Sequence, residues 1–248
     1  MSEQYEAFSE PFEPTESFES HDTPEAKANA AWSRLLQGNR RFASGAAQHP
    51  WQDRETRERL LDGQHPDAAV LSCSDSRVPP EIIFDQGLGD LFDIRTAGEV
   101  LDDAVIASLE YAVEHLGVSL IVVLGHEGCG AVKAAVDGVA ELANRFDDCG
   151  CFDVPEGTAR DEAHADHLEA MLAAQDSPIV REVGASVAQA MDADLEDAAD
   201  FERAHVARTI ELLADGSEVI RLALAEGRLM IAGARYVMHD GLVEVLSF

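Results

Sequence analysis

Short apolar runs alternate along this chain with segments whose apolar residues repeat at helical spacing. The runs at residues 68–72 and 120–124 contain no charged residue, which is typical of strands buried on both faces of a parallel sheet. Residues 91–95 form a third, more polar run that we also interpret as a strand. Apolar residues at helical spacing lie between the last two runs, at Val105, Leu109, Ala112, Val113 and Leu116. The alternation predicts an α/β fold, a single domain in which a mainly parallel mixed sheet is flanked by helices.

Boundary residues predict where several elements begin and how the chain ends. Thr23 followed by proline is a typical helix start, and residues 177–178 and 217–218 show similar Ser-Pro and Ser-Glu starts. The apolar runs 229–232 and 242–246 are joined by a short polar segment. We therefore expect a hairpin at the edge of the sheet.

Two regions carry little structural signal. Residues 1–22 scatter three phenylalanines among acidic residues without helical or strand periodicity, so we expect a disordered acidic tail and a folded domain over residues 23–248. Another interpretation docks these phenylalanines on a partner subunit. Residues 147–200 are strongly acidic and helical only where they are periodic.

Three metal-ligating side chains lie at the ends of the two most apolar runs. Cys73 follows the first run, and His126 and Cys129 follow the second. The carboxyl ends of strands are where open α/β sheets place their sites, and two thiolates with one imidazole suit a zinc ion that keeps one open position. The alternative is that these are ordinary packed core residues, but three ligands in the same local context favour a zinc enzyme.

A carboxylate and a guanidinium stand beside the first ligand. Arg77 can hold Asp75 bidentately and keep it off the open position of the metal. An Asp75 held in this way can accept a hydrogen bond from zinc-bound hydroxide, whereas a released Asp75 can itself ligate zinc. A plain salt bridge is the alternative. Gly128 and Gly130 flank Cys129 where the next helix should begin, which places backbone amides near the metal.

These residues resemble the signatures of the β-class carbonic anhydrases, Cys-x-Asp-Ser-Arg at residues 73–77 and His-x-x-Cys at residues 126–129. The resemblance runs from about residue 30 to the C-terminus. It implies one Zn²⁺ per chain and reversible hydration of carbon dioxide to bicarbonate and a proton by zinc-bound hydroxide, the carbonate dehydratase reaction of a lyase. It also implies a homodimer or a dimer of dimers, in which N-terminal helices embrace the other subunit.

Pocket residues follow from the same resemblance. Gln86 and Tyr111 match substrate-binding positions of the plant-like branch, and Gly130 is assigned to the same group. Thr96 and His205 stand where the family often has Asn. These departures lie outside the zinc signatures and concern the pocket rather than the chemistry.

Two functional alternatives remain open at this point. The same fold and metal could hydrolyse carbon disulfide or carbonyl sulfide, or the chain could be a non-catalytic regulator that binds zinc or bicarbonate. Because Asp75 and Arg77 are both present, an enzyme is favoured over a regulator.

A second metal cluster is conceivable in the acidic region. Its residues would be Cys149, Cys151, His164 and His167. The spacing within each pair is shorter than zinc fingers use, and free thiols on a solvated loop are the alternative.

Charge bounds the cellular setting and the partners. The 248 residues carry 48 acids against 18 bases, a formal charge of −30, which excludes nucleic acid and anionic membranes as partners. Only Lys27 and Lys133 are lysines, so the surface is typical of adaptation to high salt; an ordinary acidic protein is the alternative.

No run approaches the ~20 apolar residues of a membrane span. The start of the chain lacks the basic residues of a targeting signal, so we expect a cytoplasmic protein.

Overall fold

A computed structural model describes residues 23–149 and 170–248. In this part of the chain the helices are α1 (Pro24–Ala43), α2 (Arg54–Arg59), α3 (Pro80–Ile83), α4 (Asp103–Glu114), α5 (Gly130–Cys149), α6 (Gly184–Asp192), α7 (Ala198–Gly216) and α8 (Glu218–Ala225). The strands are β1 (Ala68–Cys73), β2 (Leu91–Thr96), β3 (Leu120–His126), β4 (Met230–Tyr236) and β5 (Val243–Ser247).

The strands form one mixed sheet in the order β2-β1-β3-β4-β5. The first four strands run parallel, and β5 pairs antiparallel with β4 at the edge. This confirms the predicted α/β fold and the terminal hairpin. Ser72 of β1 is paired with Leu124 of β3, so the strand ends that carry Cys73 and His126 lie side by side.

Both faces of the central strands are covered by helices. On β1, Val70 packs into an apolar cluster that includes residues of α1 and α5, whereas Leu71 packs into a second cluster with residues of α4 and α8. All residues of β1 and β3 are buried. Burial on both faces explains why their sequences are uninterrupted apolar runs rather than alternating ones.

The predicted helix starts are present, and their caps have a common chemistry. The hydroxyl of Thr23 accepts a hydrogen bond from the Ala26 N–H at 3.2 Å, and that of Ser217 accepts one from Ile220 at 3.1 Å. Each bond satisfies a backbone donor in the first helical turn that has no intrahelical partner. After Pro178 the chain forms a π-helical turn (Ile179–Val183) that leads into α6.

Some predictions fall outside the described part of the chain. The acidic tail at residues 1–22 lies there, as do Cys151, His164, His167 and the side chain of Cys149. Among the helices of residues 23–149 and 170–248, none is long and apolar enough to cross a membrane.

Candidate metal centre

The three predicted ligands come together at the carboxyl edge of the sheet. Cys73 ends β1, His126 ends β3, and Cys129 lies immediately before α5. One ligand atom from each residue lies within 4.8 Å of the others, and all three residues are buried. Tetrahedral zinc requires ligand atoms about 3.5 Å apart, so small side-chain movements suffice to bind the ion.

The orientation of His126 also suits a metal. Its Nδ1 lies 3.0 Å from the Glu127 carbonyl oxygen and donates to it, which leaves the lone pair on Nε2. This Nε2 is buried and has no hydrogen-bond partner among the described residues. Buried polar atoms are normally paired, and a ring whose other nitrogen is fixed by a carbonyl is the usual arrangement of a metal-ligating histidine. The donor set therefore fits zinc.

The two thiols influence each other's ionisation. A hydrogen bond from the Cys129 thiol lowers the pKa of Cys73, and the same contact raises the pKa of Cys129. The backbone N–H of Gly98 also donates to the Cys73 sulfur at 3.3 Å, which favours its thiolate. Without a metal the pair thus loses one proton readily and keeps the second, which a metal ion must displace to bind both sulfurs.

Asp75 is held by Arg77 through both carboxylate oxygens. The Nε of Arg77 donates to Oδ1 at 2.9 Å, and Nη2 donates to Oδ2 at 2.7 Å. The hydrogen bonds from Arg77 hold the pKa of Asp75 far below its usual range. Arg77 also reaches the Gly128 carbonyl at 3.4 Å, which links the two signature segments. The structure thus shows Asp75 paired with Arg77.

Arg95, which the sequence analysis did not single out, supports the first segment. It donates to the Cys73 carbonyl at 2.8 Å and to the Asp75 carbonyl at 2.6 Å. These bonds fix the backbone on either side of Ser74. A lone arginine at the end of a strand gives no sequence signal for this role.

Two side chains of α7 reach the backbone of the metal segments; the sequence analysis did not single out the first, Glu202, and noted the second, His205, only as a departure in the pocket. Glu202 accepts hydrogen bonds from the N–H groups of Gly128 at 2.7 Å and Cys129 at 3.3 Å. His205 donates from Nε2 to the carbonyl of Gly98. Burial lowers the pKa of His205, so the ring is neutral. Glu202 and His205 lie three residues apart, one helical turn, and so project from the same side of the helix.

A second buried acid of the site, Glu99, lies close behind Cys73. It adopts a left-handed backbone conformation with φ of 50°, which is strained for a residue with a side chain. Its Oε1 has no hydrogen-bond partner among the described residues. Burial raises its pKa well above the usual range, so the carboxyl group is neutral.

The predicted substrate residues are placed differently from one another. Gly130 begins α5, directly after Cys129. Gln86 donates its amide to the carbonyl of Phe84 at 2.7 Å and borders a 560 Å³ cavity. Tyr111 is 47% exposed, with Phe92 and His115 as its aromatic neighbours. The contacts of Gln86 and Tyr111 are thus with groups other than the three ligands, and a role in substrate binding stays a prediction.

Comparison with known proteins gives a consistent result. A family model described as carbonic anhydrase matches residues 68–243. The chain is 42% identical over 224 residues to the carbonic anhydrase of Mycolicibacterium smegmatis, which covers 90% of this chain and 96% of that protein. It is 41% identical over 218 residues to carbonic anhydrase 2 of Mycobacterium tuberculosis, with 88% and 92% covered.

Solved structures share the fold. The β-carbonic anhydrase CafA of Aspergillus fumigatus superposes with a TM-score of 0.57 at 25% identity and covers 87% of this chain and 90% of that one. A tetrameric β-carbonic anhydrase of Sordaria macrospora gives a TM-score of 0.54 at 25% identity, with 88% and 97% covered.

Proposed function

Because the chain belongs to the β-class carbonic anhydrases, we propose that it hydrates carbon dioxide at one zinc ion held by Cys73, His126 and Cys129. The observation that carries the proposal is the buried cluster of two thiols and an imidazole whose Nε2 has no other partner. When bound, zinc supplies a Lewis acid that lowers the pKa of water and makes hydroxide available near neutral pH for attack on carbon dioxide.

Asp75 and Arg77 are proposed as the catalytic pair. With both carboxylate oxygens on Arg77, Asp75 cannot occupy the fourth ligand position, which stays accessible to water and substrate. Each carboxylate oxygen has a second lone pair, so the ionised Asp75 can accept a hydrogen bond from a nucleophile and orient it. Its strongly lowered pKa keeps it an acceptor throughout the neutral range.

Release of Asp75 from Arg77 would close the site. We propose that Asp75 then becomes the fourth metal ligand, and that lower pH favours this form because hydroxide becomes scarce while the carboxylate stays ionised. Activity should therefore rise with pH over the neutral to alkaline range, and a flat profile would contradict this part of the proposal.

Substrate binding and assembly belong together in the proposal. Gln86, Tyr111 and Gly130 are proposed to contact carbon dioxide or bicarbonate. Within one subunit Gln86 contacts the Phe84 carbonyl and Tyr111 packs beside Phe92. A homodimer or dimer of dimers is proposed from the family resemblance. A cytoplasmic location and adaptation to high salt remain proposals that rest on the charge of −30 and the scarcity of lysine.

Stopped-flow hydration of carbon dioxide tests the function. Zinc-loaded wild-type protein is compared with Asp75→Asn, which keeps the size of the side chain but removes its charge, and with Asp215→Asn, which removes an exposed charge near the end of α7. We expect Asp75→Asn to keep its zinc and lose about 10²- to 10⁴-fold in rate, with Asp215→Asn close to wild type. Fully zinc-loaded wild-type protein that is no faster than buffer would refute the proposal.

A further inference from the structure

We propose that Glu202 and His205, called here the α7 pair, are positioning residues that fix the two cysteine ligands from one helix. Neither side chain reaches a ligand atom directly. Each acts through a backbone group of a metal segment, and together they hold the two sulfurs at a set separation. The inference depends on zinc binding by Cys73, His126 and Cys129, as proposed above, and it concerns how the ligands are positioned rather than the reaction itself.

Glu202 fixes the segment that carries Cys129. Its Oε1 accepts from the N–H groups of Gly128 and Cys129, which lie at the turn between β3 and α5. No carbonyl of a preceding helical turn is available to these two donors, so without the carboxylate they would need other partners. Gly128 has φ of 65°, and the single oxygen that accepts both hydrogen bonds holds this left-handed turn in place.

The other oxygen of Glu202 anchors the carboxylate in the core. Arg235 of β4 donates from Nε to Oε2 at 2.7 Å, and the two side chains are only 7% and 4% exposed. A buried carboxylate needs such a partner, since an unpaired charge in the interior is strongly unfavourable. Arg235 thus sets the position of Glu202, and Glu202 sets the position of the Cys129 backbone.

His205 fixes the segment behind Cys73. Its Nε2 donates to the carbonyl of Gly98, and the N–H of the same Gly98 donates to the Cys73 sulfur at 3.3 Å. The hydroxyl of Ser186 lies 2.9 Å from Nδ1 and fixes the orientation of the ring. A displacement of His205 would therefore move the hydrogen-bond donor of the Cys73 thiolate.

The position of Gly98 leaves little freedom for compensation. A Cβ on Gly98 would lie 2.7 Å from the side chain of Ala131 in α5, so the backbone there is tightly enclosed. Movement of α7 relative to the sheet would consequently change both sulfur positions together. Partners of this kind around metal ligands typically alter metal affinity 10- to 100-fold when they are replaced.

The test measures zinc affinity by chelator competition on the full-length protein. Glu202→Ala and His205→Leu remove the hydrogen bonds. Glu202→Gln keeps a side-chain acceptor at similar reach, and His205→Gln keeps a side-chain donor. Leu213→Ala serves as the matched control, because Leu213 is a fully buried residue of the same helix in the other apolar cluster. Its replacement weakens packing without touching a metal segment.

We expect Glu202→Ala and His205→Leu to bind zinc about 10- to 100-fold more weakly, with partial recovery in the glutamine variants. The Leu213→Ala control should lower the melting temperature and leave zinc affinity within twofold of wild type. Cobalt-substituted protein gives a second measurement, because the thiolate-to-cobalt absorption band should shift in the α7-pair variants and not in the control.

Two results would overturn the inference. One is that all four variants of the α7 pair bind zinc with an affinity within twofold of wild type. The other is an equal loss of affinity in Leu213→Ala. Wild-type protein that binds no zinc would instead refute the proposed function, so the two failures are distinguishable.

Discussion

Asp93 offers a quantitative test of the electrostatics of the sheet edge. It lies on β2, and neither of its carboxylate oxygens has a hydrogen-bond partner among the described residues. Burial, followed by the charge of Glu81 on α3, raises the pKa of Asp93 to about 8, against an opposing effect of Arg95. We predict that Asp93→Asn stabilises the protein at pH 8 and has little effect near pH 4.

The sign and size follow from proton linkage. The unfolded chain releases the proton near the usual value of 3.8, whereas the folded protein keeps it until about pH 8, so stability falls as pH rises between these values. At about 1.4 kcal/mol per pKa unit, four units set an upper limit of about 6 kcal/mol. Because Asp93 is only partly buried and solvent screens part of the effect, we expect about half of this, or ~3 kcal/mol.

Thermal melts at pH 4 and pH 8 measure the effect. A stabilisation of ~3 kcal/mol corresponds to a rise of about 6–12 °C in a domain of this size. Asp137→Asn is the matched control, since it removes the same charge from an exposed helical position. Equal melting temperatures for Asp93→Asn and Asp137→Asn at pH 8 would refute the buried, protonated state of Asp93.

Three further predictions concern stability. Gly38→Ala should lower the melting temperature by about 10 °C or more, because the new Cβ would lie 1.7 Å from the Phe84 carbonyl oxygen and overpacking destabilises; an unchanged melt would contradict this contact. Asp85→Asn should lower the free energy of unfolding, measured with urea at pH 7, by about 2–4 kcal/mol. The reason is that the carboxylate is fully buried and accepts hydrogen bonds from Arg41 at 2.6 Å and from the His49 N–H at 2.9 Å. The pKa of Asp85 is lowered in the folded protein, so this stabilisation is present above the unfolded pKa and should fade as pH falls through the acid range. A loss of stability in Asp85→Asn that does not depend on pH would be inconsistent with an ionised Asp85. With a charge of −30, the melting temperature should rise up to molar sodium chloride, where the screening length is ~3 Å, and a level or falling series would refute salt adaptation.

The sequence predicts the elements whose periodicity or caps are local. Burial on both faces makes β1 and β3 uninterrupted apolar runs, and serine or threonine hydroxyls mark the starts of α1 and α8. By contrast, α2 has the sequence Arg-Glu-Thr-Arg-Glu-Arg and only one buried residue, Thr56. Because this segment has no apolar period, α2 could not be predicted from the pattern of apolar residues.

The residues of the candidate site also fall into two groups, those that local sequence predicts and those that it does not. Cys73, Asp75, Arg77, His126 and Cys129 stand in two short segments, and the paired strand ends bring them together. Glu202 and Arg95 act on backbone groups 74 and 22 positions away along the chain. Such contacts depend on how helices and strands pack, and the local sequence around a single glutamate or arginine does not indicate which distant group it will contact.

The most direct test of the central claim is metal analysis of the purified protein and its ligand variants. We predict one zinc per chain in the wild type, and loss of that zinc in Cys73→Ser and in His126→Ala, because too few ligands remain to hold the ion. Full zinc occupancy in either variant would contradict the assignment of the metal centre.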